Sequence, residues 1–173
     1  YASTALARSF GGRKAAVQHH AAHALSVAAE HGLEGDFLGV AFDGTGYGTD
    51  GAVWGCEFLS FRGRAWRRAG HLKYFALPGG DIGAYEIWRP ALSLLRLAYG
   101  PGWRSLAGAL FAGVPAARLN TAERMLEAGL NSPRTSSLGR LFDAFSFIAG
   151  LRTGATYEAQ GPMELESLLR GRA

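Results

Sequence analysis

The order of elements along this chain predicts an α/β domain, a mixed sheet flanked by helices. Three stretches carry that reading. Residues 21–31 are nearly all good helix formers with no Gly or Pro. Residues 36–60 hold two strand-like runs on either side of a glycine-rich polar turn. From residue 82 onward apolar side chains recur mainly at helical spacing. Helix, hairpin and then helices is an order that buries a sheet under helices rather than a sheet against a sheet.

Taken in order, residues 4–10 form a short helix ended by Gly11-Gly12, and residues 14–17 a brief strand leading into the next helix. His19, His20 and His23 stand at the head of that helix. Residues 36–42 are an apolar run short enough to be a buried strand, with Val40 and Phe42 favouring that state. Asp43 stands at its end, and residues 43–51, DGTGYGTDG, make the turn of a hairpin whose second strand is 52–60. Residues 65–74 read as a third strand and 77–80 as a turn. Asp81 is placed to cap a helix on which Ile82, Tyr85, Trp88, Leu92, Leu95 and Tyr99 share a stripe, kinked or split at Pro90. Pro101-Gly102 separates helices, 116–128 forms another, and 131–133 closes it. Ser136-Ser137 caps a helix over 138–151 whose apolar stripe is Leu141, Phe142, Phe145, Ile148 and Ala149, with Asp143 near its edge.

With 173 residues, 48% hydrophobic and 18% charged, the chain can bury a core. The net charge of +4 comes from 16 Arg and 2 Lys dispersed in short clusters such as 62–68. That is a mild attraction for phosphorylated ligands and a poor basis for nucleic-acid binding. Cys56 is the single cysteine and lies in a predicted strand, so neither an intrachain disulfide nor a cysteine zinc site is available, and a buried hydrophobe is its expected role. His71, with no partner placed near it, reads as a strand residue. No membrane-spanning apolar run or signal peptide is present, leaving the cytoplasm as the default location.

The chemistry concentrates in residues 17–57. His19 and His23 are four apart and share one helix face, whereas His20, about 100° round the helix, should point elsewhere and pack or bond to backbone. Two imidazoles on a helix and the carboxylate of Asp43 are the ingredients of a mononuclear metal site. The glycines that follow would let backbone N–H groups approach an anion. Each part has a plainer reading: a His pair bonded to backbone or solvent, a simple hairpin turn, and an Asp that caps the turn by accepting the N–H two residues on.

VQHHAAHALSVAAEHGL followed by VAFDGTGYGTDGAVWGCEFL resembles the carbamoyltransferases of hydrogenase maturation, the HypF family, in the domain related to TsaD-type tRNA-modification proteins. LPGGDIGAYEIWRPALSLL, SSLGRLFDAFSFIAGL and TYEAQGPMELE fit the same family in the same order, so the resemblance spans nearly the whole chain. It implies part of an actin-like ATPase fold, with residues 100–136 as a helical insertion. It implies Fe or Zn on His19 and His23, with Asp43 as a third metal ligand or a group that orients one; phosphate held by backbone N–H groups of Gly44, Thr45 and Gly46; and Asp143 and Glu158 facing a nucleotide sugar. Ala159 stands where the family has Gly. The implied reaction makes carbamoyl-adenylate from carbamoyl phosphate and ATP, then passes the carbamoyl group to a C-terminal cysteine of a HypE-type partner. The chain lacks an initiating Met, begins within a segment that follows a larger N-terminal half in the family, and ends at Arg172-Ala173 before a further metal-binding Asp. It is therefore expected to be an inactive piece, truncated at both ends. An O-carbamoyltransferase of the TobZ/NodU type, a TsaD-type enzyme and a non-catalytic module are the alternatives.

Overall fold

The computed structural model describes residues 2–63 and 65–170. Tyr1 and residues 171–173, the ends on which the truncation expectation rests, and Arg64 of the basic cluster lie outside them. The elements in chain order are α1 (Ala2–Ser9), α2 (His19–Glu30), β1 (Phe37–Tyr47), β2 (Val53–Arg62), β3 (Ala65–His71), β4 (Phe75–Ala76), a 3₁₀ turn (Gly80–Ala84), α3 (Trp88–Tyr99), α4 (Trp103–Ala107), α5 (Ala116–Ala128), β5 (Arg134–Thr135), α6 (Leu138–Ile148) and α7 (Gln160–Arg170). No helix among the described residues is long and apolar enough to cross a membrane.

The sheet is mixed. β2 pairs antiparallel with β1 along one edge, and its other edge is shared between antiparallel β3 and the single parallel pair Val53–Thr135 of β5, which β4 extends. α2 lies on the sheet, where Ala21 packs with Leu59 and Phe61. The larger core is helical and joins Ile87, Trp88, Leu92, Trp103, Phe111, Leu119 and Phe147 from α3 to α6.

Strand β1 departs from its expected form in two ways. It is half-buried rather than buried: Gly39 and Ala41 turn inward while Leu38, Val40 and Phe42 alternate outward, as the period of two in a pleated strand requires. It also runs on to Tyr47, so Asp43 lies within the strand and the hairpin turn begins at Gly48. Between the pairs Phe42–Cys56 and Gly46–Trp54, the three residues Asp43, Gly44 and Thr45 stand against Gly55 alone. This is a bulge with two extra residues, and it turns backbone out of the ladder at one point only.

Elsewhere the elements lie near their expected places with local corrections. Residues 14–17 form no strand, since a strand needs a ladder partner. Asp81 makes no cap; it sits inside the 3₁₀ turn, and α3 begins afresh at Trp88, with Pro90 in the first turn where no N–H is required. Ile82 and Tyr85 consequently fall outside the helix and are exposed. β3 stops at His71, which is exposed and has Nδ1 2.8 Å from the Leu72 carbonyl. Cys56 is buried, and that burial pushes its thiol pKa up. In α6 the expected stripe is on the wrong side: Phe142 and Phe145 are exposed, and Arg140, Asp143, Ala144 and Phe147 are buried.

Ala159, just before α7, has φ +61°, in the left-handed region where a Cβ costs about 1–2 kcal/mol. Part of that cost is offset by the greater chain entropy of glycine, so Ala159→Gly is expected to raise stability by roughly 0.5–1 kcal/mol, read as a higher urea midpoint at unchanged slope.

Candidate functional site

Gln18 starts α2: its side-chain oxygen accepts the Ala21 N–H at 3.0 Å. The same amide donates to the Tyr47 carbonyl at 3.1 Å, tying the start of the helix to β1. His19 and His23 come to one face, their Nε2 atoms 3.2 Å apart, and His19 Nε2 lies 3.0 Å from Asp43 Oδ2. Ligand atoms of His19, His23 and Asp43 all fall within 4.8 Å of one another, the one such cluster among the described residues. An ion about 2.0–2.1 Å from each of its tetrahedral ligands needs those atoms roughly 3.3 Å apart, so the two shorter separations are close to an ion's requirement. Asp43 is steered by its other oxygen: Oδ1 accepts the Gly44 N–H at 2.7 Å, leaving Oδ2 for the imidazoles. The bond goes to the next residue rather than two on, so the expected turn cap is not formed.

His20 is fully buried against the Trp54 ring, 5.6 Å between centroids. It does not point away from the cluster. Its Nε2 faces Asp43 Oδ2 at 3.6 Å, and Nδ1 lies 3.2 Å from the side-chain nitrogen of Gln18 rather than on backbone. Burial pushes its pKa below 6.5, against the pull of Asp43 and Glu57. Beneath it, Trp54 donates to Asp50 at 2.8 Å, and the Arg68 guanidinium lies 3.9 Å over the indole. Burial alone would raise Asp50, but hydrogen bonds from Tyr74, Ala52 and Trp54 outweigh it and hold the carboxyl at about 2. Glu57, fully buried, accepts from Arg68, Ser136 and the Gly55 and Cys56 N–H groups, so this charge is satisfied on all sides.

The glycines of the bulge serve differently from an open phosphate cradle. The Gly44 N–H is taken by Asp43 and its carbonyl accepts the Ser137 hydroxyl at 2.5 Å. A Cβ on Gly46 would come within 2.7 Å of His20 Nε2 and 2.8 Å of His19 Cδ2, so glycine there makes room for the imidazoles. Thr45 is exposed on the strand.

On the other side of Asp43 lies a cavity of about 340 Å³, lined by Asp43, Gly44, Gly139, Arg140 and Glu158 among others. Glu158 is among its lining residues. Asp143 is not among its lining residues; it lies 1% exposed with Oδ2 2.9 Å from Arg140 Nη2. Sequence reasoning missed Arg140. It is 2% exposed, and its Nε and Nη1 have no hydrogen-bond partner among the described residues. An arginine three residues after a Ser cap, placed to face whatever the cap touches, was the available signal.

A helix and a bulged strand that converge three ligand-type side chains, beside a cavity with a buried arginine, define the class as a mixed α/β domain whose polar chemistry gathers at one point. Comparison with known proteins specifies it. Residues 39–173 match the family described as carbamoyltransferase, Kae1-like domain, second subdomain. The carbamoyltransferase HypF of Rhizobium leguminosarum bv. viciae is 45% identical over 154 residues, 89% of this chain and 20% of that protein. The probable carbamoyltransferase HypF of Methanocaldococcus jannaschii is 35% identical over 162 residues, 93% of this chain and 21% of its own length. Full-length HypF solved in its phosphate- and nucleotide-bound form superposes with TM-score 0.88 at 39% identity, over 97% of this chain and 22% of that one. HypF of T. kodakarensis gives 0.82 at 32%, over 96% and 22%. The chain belongs to the HypF carbamoyltransferase family, in its Kae1-like domain, and spans about one fifth of the length of these relatives.

Asp143 carries a pH signature. Burial first, and then Glu158, push its carboxyl from 3.8 up to about 6, against the pull of Arg140. The folded protein holds this proton more tightly than the unfolded chain, so its contribution to stability falls as pH rises from about 4 to about 6 and is flat above. The stability of the wild type minus that of Asp143→Asn, from urea titrations, is expected to drop by about 3 kcal/mol over that window. A difference that stays constant with pH would contradict the buried, proton-retaining carboxyl.

Proposed function

We propose that this chain supplies the metal- and nucleotide-facing part of an enzyme that transfers a carbamoyl group from carbamoyl-adenylate, made from carbamoyl phosphate and ATP by the longer protein, to the C-terminal cysteine of a HypE-type acceptor. The observation that carries the reading is the convergence of His19, His23 and Asp43 across two elements. Nitrogen and carboxylate donors at these separations suit a divalent ion of the Fe or Zn class. Such an ion, when bound, supplies Lewis acidity toward a carbamoyl or phosphate oxygen.

The chain's own residues have separable tasks in this scheme. His19 and His23 present Nε2 lone pairs; Asp43 adds negative charge through Oδ2 while Gly44 holds Oδ1. Arg140 offers its unpaired Nε and Nη1 donors to acceptor oxygens of the nucleotide, held from behind by Asp143, and Glu158 accepts from sugar hydroxyls. The likeness to a HypF solved with phosphate and nucleotide bound supports this placement.

Titration of the protein with Zn²⁺ tests it. One ion per chain is expected, lost in His19→Ala and His23→Ala. Asp43→Asn is expected to weaken binding by roughly 10–100-fold with the fold intact, since the amide oxygen of Asn can take the Gly44 N–H in place of Oδ1. An Asp43→Asn protein with wild-type zinc affinity and, in the full-length enzyme, wild-type carbamoyl transfer would reduce Asp43 to a turn residue. The 173 residues alone are expected to bind the ion without turning over carbamoyl phosphate, and turnover by them would refute the division of labour.

A further inference from the structure

We propose that His20 is a positioning residue: held as its Nε2–H tautomer by Gln18, it donates to Asp43 Oδ2 and aims that carboxylate at the His19–His23 pair. The inference rests on the metal reading for its purpose, and on hydrogen-bond logic for its content.

The logic begins with an amide whose orientation is set by backbone. Gln18 Oε1 accepts the Ala21 N–H at 3.0 Å, and Gln18 Nε2 donates to the Tyr47 carbonyl at 3.1 Å. Exchanging oxygen and nitrogen would set donor against donor at Ala21 and acceptor against acceptor at Tyr47, so the flipped amide is excluded. The second hydrogen of Nε2 then points to His20 Nδ1, 3.2 Å away. An imidazole nitrogen that accepts carries no proton, so the ring proton sits on Nε2. The imidazolium is excluded on the same ground, because it would present a second donor to Gln18.

That Nε2–H is fully buried and has no hydrogen-bond partner among the described residues. Trp54, the ring beside it, has its own N–H committed to Asp50. Asp43 Oδ2 lies 3.6 Å away, a few tenths of an ångström beyond a formed bond. The terminal torsion of Asp is broad, and a small turn about it closes the gap. Gly46 permits the approach, since a Cβ there would stand 2.7 Å from Nε2. A protonated nitrogen cannot ligate, so His20 is barred from coordination while its two neighbours on the helix are free for it; it acts on the ion through Asp43 alone.

The test uses ¹⁵N-histidine-labelled protein without metal, followed by zinc titration of the same samples. Long-range ¹H–¹⁵N spectra are expected to show His20 with a protonated Nε2 and a bare Nδ1. Gln18→Glu keeps an acceptor for Ala21 but replaces the amide donor with a carboxylate, and is expected to reverse the tautomer. His20→Gln keeps an N–H near the Nε2 position and is expected to hold zinc within about threefold of wild type, whereas His20→Leu weakens it about tenfold. A bare Nε2 in the wild type, or zinc affinity unchanged in His20→Leu, overturns the proposal. Should the wild type bind no zinc, the metal reading fails by itself, and the tautomer in the metal-free spectra still decides the hydrogen bond.

Discussion

A single hydroxyl, that of Ser137, joins the two halves of the site. It accepts the Arg140 N–H at 3.0 Å, capping α6, and donates to the Gly44 carbonyl at 2.5 Å. Both ends of that contact have an unmet need: the first turn of a helix leaves N–H groups without partners, and a bulge takes backbone groups out of the ladder. Each supplies what the other lacks. The approach is close enough that a Cβ on Gly139 would meet the Gly44 Cα at 3.0 Å, and one on Gly55 the Ser137 Cα at 2.8 Å. The bulge pinned in this way sends the Asp43 carboxylate toward α2 and opens Gly44 toward Arg140 and Glu158.

Polar side chains in and near the core are used in two different manners around this point. Glu57 and Arg68 form a saturated pair, with the carboxylate taking Ser136 and two backbone donors besides the guanidinium. A network with every member satisfied makes the sheet rigid and fixes the floor under Trp54 and His20. Arg140 and His20 are as deeply buried but carry donors with no partner among the described residues. Burial without satisfaction is costly to a fold, and it occurs here beside the bulge and the cavity next to it.

The chain presents these candidate residues on elements that are locally well determined. α2 is tied to β1 by Gln18, β1 is pinned by Ser137, and α6 starts at that same Ser. The candidate site residues on these elements therefore sit on helix starts and a strand, which hold geometry better than loops do.

By itself the sequence determined the local facts. The helix of His19 and His23 followed from a run without Gly or Pro, α5 from the stretch 116–128 closed by 131–133, the start of α6 from Ser136-Ser137, and the hairpin from two apolar runs around glycines. The approach of Asp43 to the His pair was legible as a possibility of chemistry, because i,i+4 spacing on a helix puts two imidazoles on one side whatever surrounds them. Tertiary structure decided the rest. That Asp43 lies inside a strand depends on a register shift, set by pairing with β2 and by α6 pressing on Gly55, which no local pattern encodes. That α6 buries Arg140 and Asp143 and exposes Phe142 and Phe145 depends on what packs against it; apolar periodicity named the wrong face because here the buried face carries an ion pair. And His20, read as pointing away, was turned toward Asp43 by an amide two residues before it and a glycine in another element, a meeting that only the folded chain brings about.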